Sequence, residues 1–243
     1  MRVLRLLVVV AAAMLVSACA TLRPTPDDPR VATAAPAVPA PEAPPAAKEP
    51  ELRIACVPER AVDSWEQRYR AKPGEWEGHL EHPGRGGRYL SEVQRMVDEA
   101  GLPPEIAFLP TLESGYRSDV HGLGGSGLWQ LGAATARRYG LVVSGGRDDR
   151  LNAHLSTQVA IRHLQDLYER YQDWPLALAA YNAGEGRVDR ALKLSPGASF
   201  WDLAEQRRLP AVTCTYVPKL LGLARVAHPD DCPEDVSADR HSF

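Results

Sequence analysis

The chain has no excess of basic charge: 28 Lys and Arg stand against 31 Asp and Glu, a net charge of −3. Nucleic-acid binding, which usually needs a basic surface, is therefore not expected. Strand-like alternation of apolar and polar residues is nearly absent, which argues against a β fold. No spacing of cysteine and histidine resembles a zinc site, and the seven histidines are scattered. No metal and no cofactor is expected.

What is present begins with a leader. Arg2 and Arg5 precede the apolar run Leu6 to Val16, which is too short to span a bilayer stably, and the small residues Ser17 and Ala18 lead into Cys19. This is the layout of a secretory signal over residues 1–18. Val16-Ser17-Ala18-Cys19 also resembles a lipoprotein processing box, which makes Cys19 the expected lipidation site. Ala20 is not the aspartate that tends to hold lipoproteins at the inner membrane of enteric bacteria, so a periplasmic protein, lipid-anchored at the outer membrane by that resemblance, is the expectation. Residues 19–50 are rich in proline and alanine and cannot build a core, which reads as a semi-rigid tether. With Cys19 given to lipid, Cys56, Cys214 and Cys232 remain, an odd number. Cys214 with Cys232 is a plausible bridge pinning the tail, Cys56 can pair with either, and free thiols are also open.

From about residue 60 to residue 228 apolar residues recur at helical spacing, which predicts a single all-α domain of roughly seven to ten helices. Residues 51–100 read as an N-terminal helical extension, 101–230 as the catalytic part and 231–243 as a tail. Tyr89, Val93, Met96, Val97 and Ala100 make one stripe, stopped by Gly101. Ala160, Leu164, Leu167, Tyr168 and Tyr171 make another, and Asp173 with Pro175 opens the next helix. Glu113 falls in the last turn of a helix begun near Pro103-Pro104-Glu105 and bent at Pro110. Apolar neighbours and the negative end of the helix dipole both disfavour its charged form, as a general acid working near neutral pH requires.

Glu113-Ser114, Gly127-Leu128-Trp129-Gln130, Tyr139-Gly140-Leu141, Asp173-Trp174, Ala177 to Gly184 and Tyr216-Val217-Pro218-Lys219 occur in one order. Together they resemble the lytic transglycosylases, closest to a membrane-bound subgroup whose catalytic domain has the goose-lysozyme-like α-helical fold. The likeness spans about residues 60 to 230. It implies a deep glycan cleft and peptidoglycan glycan strands as substrate, with the bond from N-acetylmuramic acid to N-acetylglucosamine cut without water to leave 1,6-anhydro ends. It implies Glu113 as the single acid/base, Gln130 as a sugar contact and Tyr181 as the phenol approaching the catalytic carboxylate, with Asn182 supporting that corner. Ser114 either supports the acid or satisfies backbone at the helix end. Trp129 either lines a saccharide subsite or fills the core, and the core is favoured for a lone aromatic.

Departures accompany these matches. Gly122 and Ser118 stand nearest the positions where the family usually has a serine and a proline, the interval from Glu113 to Gln130 is one residue short, and Ser126 is a candidate replacement for the serine. Val212 and Cys214 stand where the late motif has glutamate and arginine. Two rival readings follow: a hydrolytic muramidase using Asp119 or Glu185 as a second carboxylate, and a non-catalytic lipoprotein that binds peptidoglycan. A serine hydrolase is disfavoured, because Gly124 to Leu128 lacks the final glycine of a nucleophile elbow.

Overall fold

The computed structural model describes residues 53–229 and Cys232. The leader, Cys19, the tether and most of the tail lie outside the described residues. The described part is helical: α1 (Arg60–Ala71), α2 (Glu77–Leu80), α3 (Gly86–Glu99), α4 (Leu109–Glu113), α5 (Ala133–Arg138), α6 (Ala153–Tyr171), α7 (Trp174–Ala183), α8 (Glu185–Leu194), α9 (Phe200–Glu205) and α10 (Ala211–Ala227). The one sheet among the described residues is a hairpin of β1 (Val143–Ser144) and β2 (Arg147–Asp148), paired antiparallel.

Local chemistry sets where these helices begin. Asn152 and Asp173 cap α6 and α7 by accepting hydrogen bonds from the backbone N–H groups of Leu155 (3.0 Å) and Leu176 (2.7 Å). Caps of this kind contribute about 1 kcal/mol each. Ser199 and Asp202 form a reciprocal capping box at α9. Pro110 does not bend one long helix. A 3-10 stretch, Pro104–Phe108, gives way to α4, and Pro110 sits in the first turn of α4 where its missing N–H leaves no bond unmade.

Helix α7 is buried nearly all round, with Leu176, Ala177, Leu178, Ala179 and Ala180 inside. Its alanines let α6 and α10 pack closely against it. On the other side α10 meets α1, and the approach is so close that a Cβ on Gly222 would lie 2.8 Å from the Trp65 Cβ and 2.9 Å from the Glu66 nitrogen. Arg225, buried on α10, anchors the preceding segment: it donates to the Ala55 carbonyl (2.7 Å), to the Val57 carbonyl and to Asp63 (2.7 Å) and Glu66 (3.2 Å) on α1. Residues 53–71 are thereby packed into the same core as the rest of the domain.

The structure corrects the expected pairing of Cys214 with Cys232. Cys232 bonds to Cys56, and Cys214 is a free, partly buried thiol on α10 whose Sγ faces the Leu209 carbonyl at 3.7 Å. The physical reason is the packing of α1 and its lead-in against the end of α10, which brings Cys56 and Cys232 together across 176 residues. A bridge closing so long a loop removes much chain entropy from the unfolded state, and losing it typically costs about 2–5 kcal/mol. Non-reducing peptide mapping should link Cys56 to Cys232 and leave Cys214 open to alkylation after unfolding. Cys56→Ser should lower unfolding stability by about 2–5 kcal/mol, while Cys214→Ser should change it by less than about 1 kcal/mol. A bridge mapped to Cys214 would refute this arrangement.

Candidate active site

Glu113 is the last residue of α4, and the backbone leaves the helix there through Ser114 into two left-handed residues, Gly115 and Tyr116, both at φ +61°. Tyr116 is fully buried and its hydroxyl donates to the Ala107 carbonyl at 2.5 Å, which offsets the strain of its backbone and fixes the turn. Ser114 acts at the same corner. Its hydroxyl donates to the Leu128 carbonyl at 2.8 Å and accepts from the Arg117 N–H at 3.0 Å, so it ties the acid's turn to the next loop. Of the two readings open for Ser114, satisfying backbone is the one its contacts match.

That next loop, Gly122 to Leu131, is held by two isolated β-bridges, His121 with Ser126 and Ser126 with Leu131. Two of its glycines are obligatory for space: a Cβ on Gly125 would fall 1.9 Å from the Gln130 carbonyl, and one on Gly127, at φ +75°, 1.8 Å from the Arg150 carbonyl. Ser126 is buried and hydrogen-bonded to His121 (2.9 Å), so its hydroxyl is committed within the loop instead of replacing a serine beside the acid. Trp129 fills the core, fully buried with its indole N–H on Thr157 at 2.8 Å, which corrects its inclusion among substrate contacts. Gln130 is partly buried at φ +47°, with its amide nitrogen on the Gly127 carbonyl at 2.9 Å. Its amide oxygen lies where a Cβ on Gly122 would sit, at 2.3 Å, so a side chain at position 122 would displace it.

The phenol bonded to the acid is not the expected one. Tyr216, on α10, donates its hydroxyl to Glu113 Oε1 at 2.5 Å, across 103 residues. Tyr181, on α7, donates instead to the Trp129 carbonyl at 2.8 Å and packs its ring on His163, with centroids 5.6 Å apart. It remains near enough to Glu113 for the charged carboxylate to oppose ionisation of its phenol. Tyr216 was visible in sequence only as the first letter of a late motif, and no local periodicity could have linked it to Glu113. Asn182 accepts a hydrogen bond from Thr213 at 2.8 Å, which holds the end of α7 against the start of α10 and thereby sets where Tyr216 stands.

Electrostatics follow from burial. The Glu113 pKa is raised to about 7, with desolvation the larger effect and the Tyr216 hydrogen bond acting against it. With only five residues in α4, the helix dipole expected to assist is small, and burial is the main cause. Both phenols are held well above their usual range, chiefly by burial, so each stays a neutral donor. The two other carboxylates weighed from sequence are placed differently: Asp119 is exposed, and Glu185 is bound to Arg138 at 3.3 Å. Among the described residues no group of three or more His, Cys, Asp or Glu gathers as metal ligands would. A partly buried acid that is half-protonated near neutrality, with a fixed neutral donor on one oxygen, can give a proton and take one back.

Comparison with known proteins places this geometry. Residues 93–203 match the family model described as Transglycosylase SLT domain, so Glu113, Gln130 and Tyr181 lie within the match and Tyr216 beyond it. The chain is 35% identical over 150 residues to membrane-bound lytic murein transglycosylase D of Escherichia coli strain K12, covering 58% of this chain and 32% of that protein. It is 33% identical over 124 residues to peptidoglycan transglycosylase gp16 of Escherichia phage T7, covering 50% of this chain and 8% of that protein. The chain thus spans about a third or less of the length of these relatives. Among solved structures, an inactive mutant of lytic transglycosylase Slt from Pseudomonas aeruginosa superposes with a TM-score of 0.52 at 19% identity, over 75% of this chain and 32% of that one, which establishes the lysozyme-like fold. Residues 93–203 therefore resemble the Transglycosylase SLT domain, carried on an all-α, lysozyme-like scaffold.

Proposed function

We propose that the chain is a peptidoglycan lytic transglycosylase in which Glu113 alone is acid and base. The observation that carries this reading is the partly buried Glu113 carboxyl, its pKa raised to about 7, with Tyr216 on one of its oxygens. The relatives named as murein and peptidoglycan transglycosylases supply the substrate class.

The protonated Glu113 gives its proton to the oxygen joining N-acetylmuramic acid to N-acetylglucosamine, and that C–O bond breaks. The acetamido oxygen of the muramoyl sugar attacks C1 as the bond opens, so the substrate supplies the nucleophile that most glycosidases take from a second carboxylate. Glu113, now ionised, removes the proton from the C6 hydroxyl, whose oxygen displaces the acetamido group at C1 and closes the 1,6-anhydro ring. No water is consumed and the acid returns to its starting state. Tyr216 steadies the carboxylate in the ionised half of the cycle, Gln130 offers its amide oxygen to a sugar hydroxyl, and Tyr181 and Asn182 position the corner that holds them. At the level of the whole protein, signal, lipid anchor on Cys19 and proline-rich tether fit a periplasmic enzyme held at the outer membrane. The membrane-bound relative supports association with a membrane. Its protein partners are unassigned.

Mass spectrometry of digested cell wall should find anhydromuramoyl ends. Reducing ends alone would favour the hydrolytic muramidase, and binding without cleavage the non-catalytic lipoprotein. Glu113→Gln should lower turnover by about 10²–10⁴-fold, the usual contribution of a general acid. Activity should fall as pH rises through about 7, because the acid must start protonated. Since the Tyr216 hydrogen bond depresses the Glu113 pKa, Tyr216→Phe should lower kcat and move the basic limb of the kcat/KM profile to higher pH. A basic limb that stays in place in this variant would show that the phenol does not tune the acid.

A further inference from the structure

The two residues before the acid, Thr111 and Leu112, border a cavity that the reaction above leaves unused. It has a volume of about 210 Å³ and is formed where α1, α2 and the 3-10 turn between them meet α4 and α10. Its wall includes Trp65, Arg68, Glu75, Trp76, Thr111 and Lys219. Thr111 is two residues before Glu113 on α4, and Lys219 is one turn beyond Tyr216 on α10, so the two helices that place the reacting acid and its phenol also wall this pocket.

Three features point to an anionic ligand. The Thr111 hydroxyl is buried at the wall with no hydrogen-bond partner among the described residues, an expense of about 1–3 kcal/mol that a bound acceptor would relieve. Lys219 forms no salt bridge among the described residues; its ammonium lies over the Trp65 ring at 5.0 Å and is half-buried, leaving a cation without a counter-charge. The carboxylate in the wall, Glu75, is already neutralised by Arg68 at 3.3 Å and Lys72 at 3.5 Å. A sugar ring stacked on the indole of Trp65 is disfavoured, because Arg68 at 5.1 Å and Lys219 already occupy its neighbourhood as cations. The Trp76 indole N–H is likewise spent, on the Tyr69 carbonyl at 3.3 Å.

We propose that this pocket binds a carboxylate of the peptide stem carried by the glycan strand, with Lys219 supplying the charge and Thr111 the neutral donor. The inference rests on peptidoglycan being the substrate. A stem projects from the muramoyl sugar and ends in carboxylates several bonds from the ring. Pinning one of them at α4 and α10 would add binding energy remote from the cleaved bond and favour strands that still bear stems. The pocket thus acts on specificity, not on the chemical step.

The test compares cleavage of intact sacculi with sacculi stripped of stems by an amidase, which leaves only the lactyl carboxylate on each muramoyl sugar. For the unaltered chain kcat/KM should be higher on the stem-bearing wall. Lys219→Gln should lower it by about tenfold on that wall, the usual effect of losing one charged hydrogen bond, and by clearly less on stripped strands. Thr111→Val, which keeps the shape and removes the unpartnered hydroxyl, should reduce the same preference without lowering Tm. Equal losses on both substrates, or no loss, would overturn the pocket while leaving the transglycosylase reading intact. If the unaltered chain cleaves neither substrate, the transglycosylase reading itself fails, and this inference fails with it.

Discussion

The hydrogen bond from Tyr216 to Glu113 is the contact on which the site depends. It joins the last residue of α4 to the first turns of α10 at a partly buried position. Burial raises the carboxyl's pKa and the phenol's hydrogen bond lowers it, whereas a fully exposed carboxyl would have lost its proton by pH 7. The phenol sets the balance, because it stabilises the ionised form without itself ionising. An acid so poised can serve both halves of a proton shuttle, first as donor and then as acceptor.

Much of the rest of the molecule holds those two residues in register. Helix α7, made almost entirely of small and apolar side chains, is the surface on which α6 and α10 are laid. The Thr213 to Asn182 bond locks the start of α10 to the end of α7, and the Ser114 to Leu128 bond locks the end of α4 to the glycine-rich loop. That loop in turn carries Gln130 and offers the Trp129 carbonyl to Tyr181. At the far end of α10, Arg225 and the Cys56–Cys232 bridge fasten the N-terminal segment to the same helix. Long-range contacts among the described residues thus converge on α10, the helix that bears the tyrosine.

What could be read from the amino acids alone follows the range of the interactions concerned. Helix caps such as Asp173, the stop at Gly101 and the position of Glu113 in a last turn are local, and the residue types a few places apart were sufficient to locate them. The burial of Trp129 was anticipated because a large aromatic is more often packed than exposed. Tyr181 was the nearer and better-signposted phenol, standing in an apolar helix ahead of Gly184, yet its hydroxyl is used on a backbone carbonyl. Tyr216 is 103 residues from its partner, and only the three-dimensional meeting of α4 and α10 selects it. The cysteine pairing failed for the same reason, since Cys56 and Cys232 are joined by the packing of α1 on α10 and not by proximity in the chain. The bend expected at Pro110 became a helix start, because a preceding 3-10 segment absorbed the residues assigned to a longer helix.

The account requires that the Glu113 carboxyl itself ionise near neutrality. Carbon-13 labelling of glutamate side chains, with Glu113 assigned by its loss in Glu113→Gln, allows its titration to be followed directly by NMR. The predicted midpoint is about pH 7. A midpoint near pH 4.5, the ordinary value for a solvated glutamate, would contradict it.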